Sequence, residues 1–330
     1  MLENRLSMKN NRKFIKAVGC IGPVIMLALF PLFIKSPYWI HTFIVTFIYV
    51  IAAVSLRMVT ISGQQPLAHA AFMGIGAYTS AVLGKELVWT PWVTMPIGGL
   101  ASMVVGILIA YPFVRLRALY YAMVSLFFGV GVIQVFFVMQ KWTRGMSGLV
   151  GIPPLFPGTV SKVPYYYFIL GFTSICLIAI YRFEFSRIGT TLRAINQSYL
   201  VAASVGINEA SYRILALAVG CFFVGLAGAA YAHYNLVLSY TSFNLLATLW
   251  LFMYALVGGI GSFAGPVIGT LVLFLLPEVF RGLKTFSPFI SAAILLVVVY
   301  LMPQGLVSLP RLARSWLTKS SDNNGIIHDS

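Results

Sequence analysis

The chain has 330 residues, 60% of them hydrophobic and 9% charged, with a formal net charge of +15. Soluble domains carry roughly 25% charged residues, so a soluble surface has too few charges to coat it and a polytopic membrane protein is indicated; the mean hydropathy of +0.92 agrees. The 22 basic residues lie singly or in small groups between apolar runs, a spread that argues against a nucleic-acid face and fits the positive-inside rule.

The first stretch, residues 1–13, is a basic tail carrying Arg5, Lys9, Arg12 and Lys13. The apolar run that follows is long, and no small-x-small cleavage pattern comes after Ile34, so it reads as a first spanning helix and not as a signal peptide. A spanning helix needs about 20 largely apolar residues. On that criterion spans fall near 14–34, 39–61, 66–84, 91–113, 118–140, 164–182, 213–237, 245–262, 264–280 and 287–307. The third, eighth and ninth are short or glycine-rich, which suits broken or re-entrant segments. The expected fold class is therefore all-α, a polytopic membrane protein with about eight to ten transmembrane helices.

With the N-terminus in the cytoplasm, fifteen basic residues fall inside and seven outside, the expected asymmetry. Both termini are then cytoplasmic. The membrane domain covers 14–307, the central polar loop 183–212 is cytoplasmic, and the polar tail 308–330 lacks an apolar period and is expected to be disordered. The outer loop 141–164 contains GMSGLVGIPPLFPG, whose glycines and prolines mark turns. It reads either as a connector or as part of an entrance for substrate.

Chemistry has little to stand on. Of the seven acids, only Glu278 is expected within or near a span, close to Arg281 at an outer end. Arg57 is expected to snorkel from the inner end of its helix. His41, His69, His233 and His328 make no metal-ligand spacing, and no GxSxG or Walker lysine motif is present. Cys20, Cys176 and Cys221 read as buried thiols. No catalytic residue, metal site or cofactor is expected. Ion-coupled carriers place charged groups in mid-membrane; with so few here, any uphill transport by this chain would draw its energy from elsewhere.

Two small-residue stretches stand out. The third span, with His69, Gly74 and Gly76, suits either close helix packing or a pathway lined by freed backbone groups. Residues 258–269, GGIGSFAGPVIG with Gly258, Gly259 and Gly261, suggest a turn or broken helix. In the central loop, Ser186 or Thr190 can cap a short helix containing Leu192 and Ile195. Ser198 can cap a second, Tyr199 to Val205, stopped by Gly206 in a left-handed conformation. Asn208 can cap the next span, where Glu209 and Arg213 stand four apart and can pair. The alanines of YLVAASV leave a low surface. From the residues alone, docking on another protein and packing on lipid or on the chain's own inner face both remain open.

This loop resembles the cytoplasmic loop of ABC importer permeases, with Val201, Ala202, Gly206 and Ile207 at the matching positions. More widely, the chain is similar to one of the two membrane subunits of high-affinity branched-chain amino-acid importers. The ordered matches are His69–Leu83, Leu116–Gly129, Ser147–Leu155, Arg187–Ile195, Ala227–Tyr234, Leu256–Gly269, Leu276–Arg281 and Met302–Leu306. Tyr199 and Ala203 stand where that family usually has acids, and Ala68 where it more often has glycine.

The resemblance implies a transport subunit, not an enzyme, in the bacterial inner membrane, taking branched-chain or other apolar amino acids inward. Related permeases carry urea, short amides or sugars, and a stand-alone channel or ion-coupled carrier is the rival class. It implies as partners a second homologous permease subunit, two cytoplasmic ATP-binding subunits, a soluble substrate-binding protein and membrane lipid. The implied ATPase-coupling residues are Arg193, Tyr199, Val201, Ala202, Ala203 and Gly206; His69, Gly74, Gly76, Gly258, Gly259 and Gly261 are the candidate pathway residues.

Overall fold

The computed structural model describes residues 22, 26–33, 36–114, 116, 118–158, 161–279 and 305–306. Its helices are α1 (Pro37–Thr60), α2 (His69–Glu86), α3 (Pro91–Phe113), α4 (Ala118–Val138), α5 (Gln140–Thr143), α6 (Val163–Glu184), α7 (Arg187–Gln197), α8 (Tyr199–Ser204), α9 (Glu209–Asn235), α10 (Leu245–Gly258) and α11 (Ala264–Val279). The two short strands, β1 (Leu149–Val150) and β2 (Val237–Leu238), pair antiparallel with Leu149 opposite Leu238.

Six segments among the described residues are long and apolar enough to cross a membrane: α1, α3, α4, α6, α9 and the run Tyr240–Gly258, which joins a 3₁₀ turn to α10. The expected span 14–34 is described only in part, and 287–307 almost entirely lies outside the described residues. The doubtful third and ninth spans are helices of 18 and 16 residues. The break expected in 258–269 is real: α10 ends at Gly258, Gly259 has φ of 105°, and α11 begins at Ala264. Proline opens α1, α3 and α6, where its missing N–H costs nothing and its fixed φ suits a first turn.

Two ends of the bundle are defined by side-chain contacts. At one end lie the last turns of α1 and α6 and the α10–α11 turn, joined through Arg57, Glu184 and Ile260. At the other lie the first turn of α1 and the last turn of α11, where the Tyr38 hydroxyl donates to the Glu278 carboxylate. Arg281, the partner expected for Glu278, lies outside the described residues.

The helix at the centre is α9, which packs on α1, α2 and α3. Small residues make this possible, because packing and not hydrophobicity drives helix association in lipid. A Cβ built on Gly76 would lie 2.3 Å from the carbonyl oxygen of Gly225, and one on Gly98 would lie 2.5 Å from the carbonyl of Gly76. Helices α2, α3 and α9 therefore meet backbone to backbone. Cys176 and Cys221 are buried free thiols, as expected.

Candidate functional site: the polar loop and its bracing

The central loop folds by local capping. Ser186 Oγ accepts from the Ile188 amide at 3.2 Å and starts α7. Ser198 Oγ accepts from the Val201 amide at 3.4 Å and starts α8. Gly206, at φ of 81°, follows α8, and the Ile207 amide donates to the Ala202 carbonyl at 3.1 Å, so the last turn of α8 is closed in the manner of a glycine C-cap. Asn208 Oδ1 accepts from Ser211 at 3.3 Å and starts α9. Glu209 and Arg213 pair at 2.6 Å. Of the two caps open for α7, Ser186 is the one used.

The short helix α8 sorts its side chains clearly. Leu200, Val201 and Val205 are 66%, 64% and 70% exposed, whereas Ala202 is 4% exposed. Ala203 is exposed and Tyr199 is half-buried. The apolar surface presented outward is therefore made by Leu200, Val201 and Val205. Ala202, expected on that surface, instead faces the chain's own interior: on a helix of six residues, one side must seat against the protein, and a small apolar side chain allows the close approach there.

The loop is braced by a charge cluster that the sequence reading missed. Glu184, expected in the polar loop, ends α6 with its side chain 1% exposed. Its Oε2 accepts from Arg57 Nη1 and its Oε1 accepts from Arg193 Nη2 at 2.6 Å. Arg57 does not snorkel: it is buried, and its Nε donates to the Ile260 carbonyl at 2.8 Å. A buried carboxylate removes the need to reach water, because a charge-assisted pair satisfies the guanidinium where it stands. The Arg193 guanidinium also lies 5.0 Å from the Phe185 ring centroid, within cation–π range. The only hint in the sequence was an acid flanked by Arg182 and Arg187.

The other candidate positions divide. His69 is buried, with Nε2 2.9 Å from Ser55 Oγ. A Cβ on Gly74 would meet Phe136 at 2.8 Å and Phe243 at 3.1 Å. Gly258 faces Gly265 so closely that a Cβ there would overlap its carbonyl oxygen, and Gly305 presses on Gly259, while Gly261 has open space beside it. The candidate residues lie on α2 and the α10–α11 turn, and the turn is joined to the polar loop through the Arg57 contact at Ile260 described above. No group of three or more metal-ligating side chains occurs among the described residues.

At the opposite end of the bundle, a cavity of about 520 Å³ is lined by His41, Phe156, Lys162, Tyr165, Tyr234 and Asn235, among others. His41 Nδ1 lies 2.6 Å from the Tyr234 hydroxyl. The 141–164 loop forms part of its wall and is lashed to α9: β1 pairs with β2, and His233 Nδ1 donates to the Pro153 carbonyl at 2.8 Å.

The fold and these two ends define a polytopic, all-helical membrane protein with a folded polar loop anchored to its spans. The chain belongs to the family described as branched-chain amino acid transport system, permease component, whose model matches residues 38–303. Its resemblance to that family, read from the ordered motifs, is thereby borne out. That family is one of transport permeases, not of enzymes. Among curated relatives, the high-affinity branched-chain amino acid transport system permease protein LivM of Salmonella typhimurium is 26% identical over 293 residues, covering 81% of this chain and 69% of that protein. LivM of Escherichia coli K12 has the same identity and coverage. The permease protein LivH of Salmonella typhimurium is 24% identical over 290 residues, covering 81% of this chain and 93% of that protein. No solved structure matches the chain significantly.

Proposed function

We propose that this chain is the membrane-spanning permease subunit of an ATP-driven ABC importer that moves branched-chain or other apolar amino acids into the cytoplasm. The observation that carries this reading is the capped α8 helix, with Leu200, Val201 and Val205 exposed, in a chain whose family is that of branched-chain amino acid permeases. Exposed apolar knobs on a rigid short helix suit a groove on another protein.

In this proposal the protein sits in the bacterial inner membrane with both termini cytoplasmic, the permease domain covering 14–307 between tails 1–13 and 308–330. The loop 183–212 docks on one of two cytoplasmic ATP-binding subunits, which hydrolyse the ATP. A second, homologous permease subunit lies alongside, and a soluble binding protein delivers substrate to the outer end. Tyr199, Val201, Ala203 and Gly206 belong to the docking helix and its end, with Ala202 as its seat, while Arg193 couples the loop inward through Glu184 and takes no part in the docked surface. Tyr199 and Ala203 carry no charge, so docking there is mainly apolar.

The cavity at His41, Lys162 and Tyr234 is the proposed outer vestibule. Its aromatic walls suit an apolar side chain, and Lys162 suits a carboxylate. The proposed route then follows the two glycine-interrupted elements, α2 with His69, Gly74 and Gly76 and the α10–α11 turn with Gly258, Gly259 and Gly261. Opening it requires packed backbones to slide, which small residues permit. Closure of the ATPases moves α7 and α8, and the bundle rocks between access states.

The test is uptake of radiolabelled leucine into vesicles holding the chain with its genomic neighbours. Uptake that requires ATP and the binding protein is expected. ATP-independent flux would assign a channel or carrier, and uptake of urea, a short amide or a sugar in place of leucine would overturn the substrate assignment.

A further inference from the structure

Glu184 ties α6 to α1 through Arg57 and to α7 through Arg193, and Arg57 carries the contact on to the α10–α11 turn. Arg57 is 127 residues away and Arg193 nine residues away, and Arg57 reaches the Ile260 carbonyl 203 residues on. The path runs from α7 through Arg193 to Glu184, then through Arg57 to the backbone of the α10–α11 turn. The first two joints are charged contacts between side chains, and the third is a hydrogen bond from the Arg57 guanidinium to a backbone carbonyl. Arg57 and Glu184 are both shielded from solvent, while Arg193 is 38% exposed at its side chain.

Two further contacts make the path stiff. Gly189 of α7 lies so close to the Glu184 carbonyl that any Cβ would overlap it, so α7 cannot shift without carrying the end of α6. In the turn, Gly258 and Gly265 touch backbone to backbone, and the Ser262 amide donates to the Gly259 carbonyl at 3.3 Å. Ile260 sits between these contacts, where a helix is already broken. A pull applied there re-aims α10 against α11 at little cost in helical hydrogen bonds.

We infer that Arg193, Glu184 and Arg57 form the link that passes motion of the docking loop to the broken α10–α11 hairpin, with Glu184 as the positioning residue between two arginines. This rests on the importer reading above. It goes beyond it by naming which side chains couple the loop to the membrane segment. A purely structural brace needs only the buried Arg57–Glu184 pair. Arg193 is needed only if the loop itself must be tied to that pair.

Arg193 is therefore the discriminating position, since its loss leaves the buried pair intact. In vesicles holding the whole complex, Arg193→Ala is expected to leave ATP hydrolysis within about twofold and to lower leucine uptake about tenfold, a mid-range value for coupling between sites. Arg193→Lys keeps a cation and is expected to recover most of that uptake. Uptake and hydrolysis falling in the same proportion, or neither changing, overturns the link. Hydrogen exchange on the same purified protein provides a second reading that does not depend on transport. Arg193→Ala is expected to speed exchange at Gly259, Ser262 and Gly265, which Arg193 does not touch; unchanged exchange there overturns the link. If the unsubstituted complex shows no ATP-dependent uptake, the importer reading fails, and the exchange result still decides the link.

Discussion

Gly76 and Gly225 meet with no side chain between them: a Cβ on Gly76 would stand 2.3 Å from the Gly225 carbonyl oxygen. Gly225 in turn faces Ser102, whose Cβ would lie 2.5 Å from an added Cβ. This crossing brings α2, α3 and α9 together backbone to backbone.

Overpacking a well-packed interior costs about 1–3 kcal/mol, and here the obstacle is backbone, which has no rotamer to yield. Gly76→Ala is expected to lower the midpoint of thermal unfolding in detergent and to reduce the yield of folded protein. Gly131 has nothing within 4 Å of a built Cβ. Gly131→Ala is expected to be neutral or to stabilise by about 0.5–1 kcal/mol, through helix propensity. Equal midpoints for the two variants would refute the close crossing.

The loop invites a paired comparison. Leu200 is exposed and Ala202 buried, although they lie two residues apart. Leu200→Asp is expected to keep the unfolding midpoint of the permease and to lose co-purification of the ATP-binding subunits, with uptake falling alongside. Ala202→Arg places a charge against the chain's own interior, where an unpaired buried charge is strongly unfavourable. That variant is expected to loosen α8 itself, seen as faster proteolysis between residues 198 and 208. Full ATPase retention in Leu200→Asp would sink the assignment of this surface.

His233 ties three elements at the end of the bundle opposite the polar loop. Its Nδ1 donates to the Pro153 carbonyl, and its Nε2 lies 2.8 Å from Ser80 Oγ and 3.0 Å from Thr94 Oγ1. With the Nδ1 proton committed to a carbonyl, Nε2 is left as the acceptor for one of the hydroxyls. Removing the ring strands buried polar groups, at about 1–3 kcal/mol. His233→Ala is expected to lower thermal stability and to expose the 145–158 loop to protease, while leaving co-purification of the ATP-binding subunits intact. A protease pattern identical to the unsubstituted protein would count against the tether.

The parts of this protein that were legible in its sequence are those set by neighbours along the chain. Spanning helices follow from apolar runs of sufficient length, and α3, expected at 91–113, runs from Pro91 to Phe113. The caps at Ser198 and Asn208, the left-handed Gly206 and the Glu209–Arg213 pair all act within four residues, so residue type and spacing were enough to place them and to narrow the α7 cap to Ser186 or Thr190. The break near Gly259 was legible for the same reason. What hid Glu184 was its sequence surroundings: flanking arginines marked it as a solvated loop residue, and nothing local signalled Arg57.

By itself, the sequence determined an all-helical membrane protein, its family and a polar loop divided into short capped helices, because hydrophobic length and capping are short-range physics. Only the tertiary structure decided that Ala202 turns inward while Leu200, Val201 and Val205 face out, that His233 holds the loop carrying Pro153, and that Arg57 and Arg193 share one buried carboxylate. These depend on which helices lie side by side. That in turn depends on close backbone crossings such as Gly76 on Gly225, whose partners no local pattern names.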